Sequence, residues 1–389
     1  MMSTGASEPL FGQSVEPGTS DLHLKKYISD GGFRRVLLVT GKQSFIWFEE
    51  KGFVPLLEQE ISVLQWSNFL PNPDIDELRE GLALAEKYRP DVIIGIGGGS
   101  VLDMAKLLAA LLDNPAKSQD LFVEGSSFDN RKVSLALVPT TAGSGAESTH
   151  FAVLYRKGVK YSVTGRALIA NHITLDPELL KTGLADQLAA SGLDALSQCI
   201  ESLWSRRSTS SSFRYAEEAL ELLAQNLVPF VGGEADRARQ MQWASHLSGQ
   251  AINISRTTGP HALSYYLTSE HRVPHGIAAA STVGYFIDHH NDLLQSNFYS
   301  SSNVLGKSMD VINRRLGLRG GTGVAHFRQL FSQLGLFDPE TYWPATTEGR
   351  KRWLSSANAD RLQNHPTNLP DLVTSPWRSG SLIMGTERD

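Results

Sequence analysis

The sequence predicts an α/β N-terminal domain built on a parallel sheet, followed by an all-α C-terminal domain. Three observations carry that expectation. Short apolar runs alternate with helical patterns through the first half. After about Pro177 helical spacing takes over and strand signals become few. A length of 389 residues, at roughly 150 per domain, suits two domains better than one.

The elements follow in order. RRVLLVTGKQSF holds the apolar run Val36 to Val39, closed by Thr40 and Gly41, which reads as a buried strand. In DIDELREGLALAEKYRP, Leu78, Leu82 and Ala85 share one helical face and Pro90 ends the pattern. DVIIGIGGGS is a second strand running into glycines, VLDMAKLLAALL the helix behind it, and KVSLALVPTT a third strand. Strands separated by helices of this length imply a parallel sheet with right-handed crossovers. LADQLAASGLDALSQCIESLWS, SFRYAEEALELLAQNLVPFV and ARQMQWASHLSGQAIN all carry helical spacing. The domains are therefore set at 1–177 and 178–389, with a ligand expected in the cleft between them.

Composition narrows the function classes. Hydrophobic residues at 41% and charged residues at 20% exclude wholesale disorder. With 36 basic and 41 acidic side chains, the net charge of −5 excludes the basic excess of a nucleic-acid partner. A lone cysteine, Cys199, leaves no internal disulfide framework and no cysteine-cluster metal site. The first residues lack a basic stretch followed by an apolar run, and no uncharged apolar run of about 18 residues occurs, so neither a signal peptide nor a membrane partner is expected. A cytoplasmic enzyme is the expectation.

The second strand ends in Gly97-Gly98-Gly99-Ser100 and a helix begins at once. Glycines let backbone approach a diphosphate, and N–H groups at a helix start point at the anion. Ser100 as N-cap, with Asp103 three residues on, matches a capping box. Such a turn is also read simply as a tight strand-to-helix connection, and it departs from the GxGxxG fingerprint. A second hydroxyl- and glycine-rich turn, PTTAGSGAES at 139–148, follows the neighbouring strand. One extended phosphate ligand, a nucleotide, explains the pair better than two chance turns. Where a carboxylate would meet the ribose of NAD(H) stand Gly41 and Lys42, which favours or tolerates the 2′-phosphate of NADP(H) unless Lys42 is merely a solvated loop residue.

Ligand-type side chains gather further on. Asp194 and Gln198 are four residues apart on one helix face, with Ser191 as a candidate N-cap. His261 and His275 each sit beside helix-breaking residues, at positions from which a side chain converges on a cleft. Two imidazoles, a carboxylate and an amide oxygen suit Fe²⁺ or Zn²⁺. The competing reading makes the histidines hydrogen-bonded core or surface residues and Gln198 an inter-helix hydrogen bond.

GGGSVLDMAK at 97–106, PTTAGSGAES at 139–148, GLDALSQCIES at 192–202 and PHALSYYLTSEHRVPHG at 260–276, in this order, resemble the iron-containing (group III) alcohol dehydrogenases over about residues 30 to 375. The resemblance implies a Rossmann-like domain plus an α-helical metal domain, an architecture shared with dehydroquinate synthase. It places Gly98, Gly99 and Ser100 on the diphosphate, Thr140, Thr141 and Ser144 on the nicotinamide side, and Lys160 at the ribose. It makes Asp194, His261 and His275 metal ligands and implies a homodimer. Two positions depart: Gln198 stands where the family usually has a histidine ligand, and Tyr265 where it often has a second histidine. The combination looks most like the phosphonoacetaldehyde reductases, which read Gln at that ligand position and reduce phosphonoacetaldehyde to 2-hydroxyethylphosphonate. Arg256, Thr257 and Thr258 before His261, with Ser264, Thr268 and Ser269 after it, then form a candidate phosphonate pocket, and His150 is a further candidate. Arg256 paired to a surface carboxylate is the alternative. The implied reaction is metal-assisted hydride transfer from NAD(P)H to an aldehyde, with a metal-bound water, Tyr265 or His271 as proton donor. A general short-chain alcohol dehydrogenase, a dehydroquinate synthase-like lyase and a nucleotide-binding scaffold are the other readings.

Overall fold

The computed structural model describes residues 14–42, 44–70, 73–112, 128–157, 159–296, 304–318 and 322–373. Its strands are β1 (Ser14–Pro17), β2 (Arg35–Thr40), β3 (Ser62–Trp66), β4 (Val92–Gly97), β5 (Ser134–Pro139), β6 (Phe151–Arg156), β7 (Val159–Thr164) and β8 (His172–Leu175). Six of them form one parallel sheet in the order β1-β8-β5-β4-β2-β3, while β6 and β7 form an antiparallel hairpin. The central strands read as unbroken apolar runs because both sheet faces are covered: every residue of β4 and all but the first of β2 and β5 are buried.

The covering helices are α1 (Ser20–Asp30), α2 (Ile46–Glu50), α3 (Phe53–Glu58), α4 (Ile75–Tyr88) and α5 (Gly99–Leu111). In α4, Asp74 and Glu77 make a reciprocal capping box and Leu78, Leu82 and Ala85 are buried against the sheet. The sheet carries three strands more than the three read from sequence. β3 is a half-buried edge and β1 and β8 have four residues each, too short for a periodic signal. Because β2 pairs with β3 on one side and β4 on the other, the winding reverses between β2 and β4, and their carboxyl ends frame a crevice.

From residue 185 the chain is helical: α6 (Ala185–Trp204), α7 (Ser210–Val231), α8 (Ala238–Ser255), α9 (Gly259–His271), α10 (His275–Gln295), α11 (Val304–Arg315), α12 (Gly323–Gln333), α13 (Thr347–Ser355) and α14 (Ala359–Gln363). These pack around a single core of their own, distinct from the apolar clusters on the two faces of the sheet. Among the described residues no helix is long and apolar enough to cross a membrane.

Two expected caps are corrected. Helix α5 starts two residues early, with Gly98 in extended conformation at its N-cap, so Ser100 lies inside the first turn. The Asp103 carboxylate accepts instead from the backbone N–H of Val153, holding the hairpin. Ser191 sits in the middle of α6, whose N-cap is Leu184, and donates to the Leu188 carbonyl.

Candidate active site

The carboxyl ends of β4 and β5 and the starts of three helices meet in a cleft of about 400 Å³. One wall is backbone. Gly98, Gly99 and Ser100 open α5, and the turn that follows β5 lies against them. A Cβ on Gly99 would stand 2.8 Å from Ser144 Oγ, and one on Gly98 3.4 Å from Thr141 Cγ2. That turn is fixed from behind: Thr140 N–H donates to the Gly97 carbonyl at 3.0 Å. Gly145, at φ +56°, brings it so close to α8 that a Cβ would lie 2.5 Å from Gly249 Cα.

The facing wall is side chains. Gly259-Pro260 starts α9, which puts His261 in its first turn, and Pro274 precedes α10, which puts His275 at its first position. Gly276 lets the start of α10 touch the backbone of α6, since a Cβ there would lie 2.7 Å from Asp194 N. That contact sets His275 beside Asp194. Ligand atoms of Asp194, His261 and His275 all fall within 4.8 Å of one another.

Glu201, fully buried and seven residues beyond Asp194, orients the set. Its Oε1 accepts from His261 Nδ1–H, and its Oε2 accepts from the N–H and the hydroxyl of Thr258 at 2.6 and 2.9 Å. His261 Nε2 is thereby directed at Asp194 Oδ1, 3.2 Å away. Burial opposes charge on His261, yet Glu201 and then Asp194 outweigh it and hold its pKa up at about 9. Two carboxylates sharing one buried imidazole is a donor set that a dication completes, and two histidines with one carboxylate match the ligand taste of Fe²⁺ or Zn²⁺.

The remaining sequence candidates divide. Gln198 lines the cleft, but its Oε1 accepts from Ser248 Oγ at 2.8 Å and its Nε2 faces the Ser144 carbonyl at 3.5 Å, a bridge between α6, α8 and the β5 turn. Asp103, Thr141, Ser144, Thr257 and Tyr265 line the cleft. Ser264 stands behind it, donating to the His261 carbonyl and lying 3.4 Å from His275 Nδ1. Thr140 contributes backbone contacts only as far as they are described.

His271 is corrected as a proton donor: α9 carries it ten residues past His261 to an exposed end packed on Tyr266. Ser269 is likewise exposed, and Thr268 and Thr258 are absent from the cleft lining. Arg256 lines a smaller side cavity beside the main cleft, and its Nη2 donates to His150 Nε2 at 3.0 Å. Gly41 and the exposed Lys42 close β2 at the crevice. Lys160 lies on β7, and its side chain is outside the described residues.

Two residues escaped the sequence reading. Glu201 had a usable signal, being seven positions from Asp194 and three from Gln198 on one helix face. Arg361, from α14, enters the cleft from a hundred residues beyond His261, where no spacing argument reaches.

Both parts of the chain match a known family. The description "Iron-containing alcohol dehydrogenase" matches residues 17–177, and "Fe-containing alcohol dehydrogenase family, C-terminal" matches 188–336. Alcohol dehydrogenase 4 of Saccharomyces cerevisiae is 31% identical over 281 residues, 69% of this chain and 70% of that one. Phosphonoacetaldehyde reductase of Streptomyces viridochromogenes is 39% identical over 207 residues, 50% of this chain and 52% of that one. The iron-containing alcohol dehydrogenase of Thermotoga maritima superposes with a TM-score of 0.77 at 26% identity, covering 93% of this chain and 95% of that one. Sulfoacetaldehyde reductase of Bifidobacterium kashiwanohense, solved with NAD⁺, shares the fold at a TM-score of 0.81 and 23% identity, again over 93% and 95%. The glycine-built cradle and the three-residue ligand set thus occur in a chain that belongs to the iron-containing alcohol dehydrogenases, oxidoreductases that combine a nicotinamide dinucleotide with a divalent metal.

Proposed function

We propose that the protein reduces phosphonoacetaldehyde to 2-hydroxyethylphosphonate with NAD(P)H. The observation that carries the reading is the position of Asp194, His261 and His275 on the same cleft as the Gly98–Ser100 turn. The 39% identity to a phosphonoacetaldehyde reductase supports the choice of aldehyde.

When bound, the cofactors supply a hydride and a Lewis acid for the carbonyl oxygen. Asp194, His261 and His275 hold the cation, and Glu201 keeps His261 in the tautomer that offers Nε2. Gly98, Gly99 and Ser100 receive the diphosphate on backbone N–H groups, and Thr141 and Ser144 border the nicotinamide. Gly41 and Lys42 at the end of β2 leave room for a 2′-phosphate, so NADPH is favoured. The hydride that bound NAD(P)H would supply goes to the carbonyl carbon, and the oxygen that receives the C=O electron pair would need a proton from this chain. Tyr265 is the donor we assign: Arg361 Nε–H donates to its phenol oxygen at 2.6 Å, and the guanidinium stabilises the phenolate left behind until solvent reprotonates it. Gln198 positions the cofactor turn against the metal helix through Ser144.

The test follows NADH and NADPH oxidation with phosphonoacetaldehyde, acetaldehyde and butanal, with Fe²⁺ or Zn²⁺ restored after chelation. The expected result is the highest kcat/KM on phosphonoacetaldehyde and none without metal. Good rates on the alkyl aldehydes with none on the phosphonate would leave a general short-chain alcohol dehydrogenase.

A further inference from the structure

Beside the main cleft lies a second cavity of about 210 Å³, and Val153, Thr257, Tyr265 and Arg361 line both, so the two share a wall. Three guanidiniums border it, Arg207, Arg256 and Arg361, against one carboxylate, Asp360. Among the described residues none of the three arginines forms an ion pair. Arg256 and Arg361 are partly buried without an ion pair, and the cost of holding them there falls when an anion joins them.

Two of the three arginines are also held in place. Arg361 donates from Nε to Tyr265 and from Nη1 to Thr257, which leaves the rest of its fork for a ligand. Arg256 stands on a residue with φ +61°, in a region rarely taken by side-chain-bearing residues, with its guanidinium 4.5 Å over the Phe151 ring. Its Nη2 donates to His150 Nε2 at 3.0 Å, while the backbone N–H and Nδ1 of His150 both face Asn253 Oδ1. Burial, then the nearby Arg256, keeps the His150 imidazole neutral and able to accept. Burial, the largest cause, and then Arg361 and Arg207 draw the pKa of Arg256 down to about 10.

We propose that this side cavity seats a tetrahedral oxyanion carried by the substrate, with Arg361 touching it, Arg256 reinforcing it and His150 positioning Arg256. The assignment deepens, and rests on, the reading of the cleft as a phosphonoacetaldehyde site. One methylene separates the carbonyl from the phosphonate in that substrate, so the anion must lie next to the metal set. Tyr265 supplies that adjacency: its ring stacks on His275 with centroids 6.0 Å apart and its oxygen meets Arg361. A sulfonate shares the tetrahedral oxyanion chemistry but carries one charge fewer than the phosphonate dianion.

The experiment compares kcat/KM for phosphonoacetaldehyde, sulfoacetaldehyde and butanal in the metal-loaded wild type, Arg361→Gln, Arg361→Lys and Arg256→Gln. The ratio of phosphonoacetaldehyde to butanal is expected to fall about a hundredfold in Arg361→Gln, with partial recovery in Arg361→Lys, and about tenfold in Arg256→Gln. Phosphonoacetaldehyde is expected to exceed sulfoacetaldehyde in the wild type, and the reverse order would reassign the anion as a sulfonate and overturn the phosphonate. Binding of methylphosphonate, followed by calorimetry and by inhibition competitive with the aldehyde, reports on the cavity independently of turnover. Competitive methylphosphonate binding that Arg361→Gln abolishes, in a protein that does not reduce phosphonoacetaldehyde, would support the anion seat while removing the proposed reaction. Reduction of phosphonoacetaldehyde with an unchanged substrate ratio in every variant would do the opposite and overturn the seat. Should the arginine variants fail to fold, methylphosphonate that does not compete with aldehyde in the wild type overturns it as well.

Discussion

The two walls of the cleft are made of different material. The sheet-side wall is largely close-packed backbone: Gly98 and Gly99 after β4 lie against Thr141 and Ser144 of the turn that follows β5, and Gly145 of that turn lies against α8. The helix-side wall is side chains projected from α6, α9 and α10 and held by a buried carboxylate. A wall of backbone tolerates loss of a hydroxyl but not the gain of a methyl; a wall of side chains responds the other way. Substitutions in each wall therefore test the comparison directly.

The largest effect is expected from Asp194→Ala or His275→Ala. Each removes one of the three side chains proposed to hold the metal, and the charge stabilisation expected to be lost amounts to several kcal/mol at the transition state, about a thousandfold or more in turnover. Elemental analysis should show the metal gone while circular dichroism keeps the helical signal. A variant that retained stoichiometric metal and a tenth of the activity would break the assignment of this wall.

Glu201→Gln comes next. The substitution keeps the shape but removes the charge behind His261 Nδ1–H. Metal affinity is expected to drop about 10–100-fold, read as the chelator concentration that strips half the metal. If the midpoint does not move, the carboxylate is a structural bond to Thr258 and nothing more.

In the backbone wall the order inverts. Thr141→Ala or Ser144→Ala should weaken dinucleotide binding by no more than about tenfold, the worth of a single hydrogen bond. Gly145→Ala must fit a Cβ 2.5 Å from Gly249 Cα in a left-handed conformation, so it should cost more than either in both cofactor affinity and melting temperature. Calorimetric titration with NADPH and NADH measures it, and a harmless Gly145→Ala would contradict the backbone account.

The same contrast explains what the sequence disclosed. Backbone features announce themselves locally: the VIIGIGGGS run is a buried strand ending in a close turn whatever surrounds it, and β2, β4 and β5 were legible for that reason. The side-chain wall joins positions up to 81 residues apart in the chain, Asp194 to His275, and spacing could only nominate them; the motif resemblance joined them. Edge strands β1 and β3 and the β6–β7 hairpin stayed unread because half-exposed or very short strands lack a continuous apolar run. Arg361 stayed unread because α14 is five residues long and reaches the cleft through tertiary packing alone.

The smallest effect at neutral pH, and one confined to the helical half, concerns His290 on α10 and His365 beyond α14. Their rings stack with centroids 5.1 Å apart, and both are essentially sealed from solvent, at 0% and 1% exposure. Burial holds His365 down at about 3, with His289 and Arg206 adding to it, and holds His290 well below the ordinary range. In the unfolded chain each titrates near 6.5. Above that value both states are neutral and the pair contributes nothing to the pH dependence. Below it the unfolded chain takes up protons that the folded one refuses, so stability falls by about 1.4 kcal/mol per histidine for each pH unit down to the folded pKa. Urea midpoints between pH 7 and 4, taken with chelator present so that metal loss does not enter, should slope less steeply in His365→Gln than in the unsubstituted chain. Parallel slopes would mean that acid enters elsewhere.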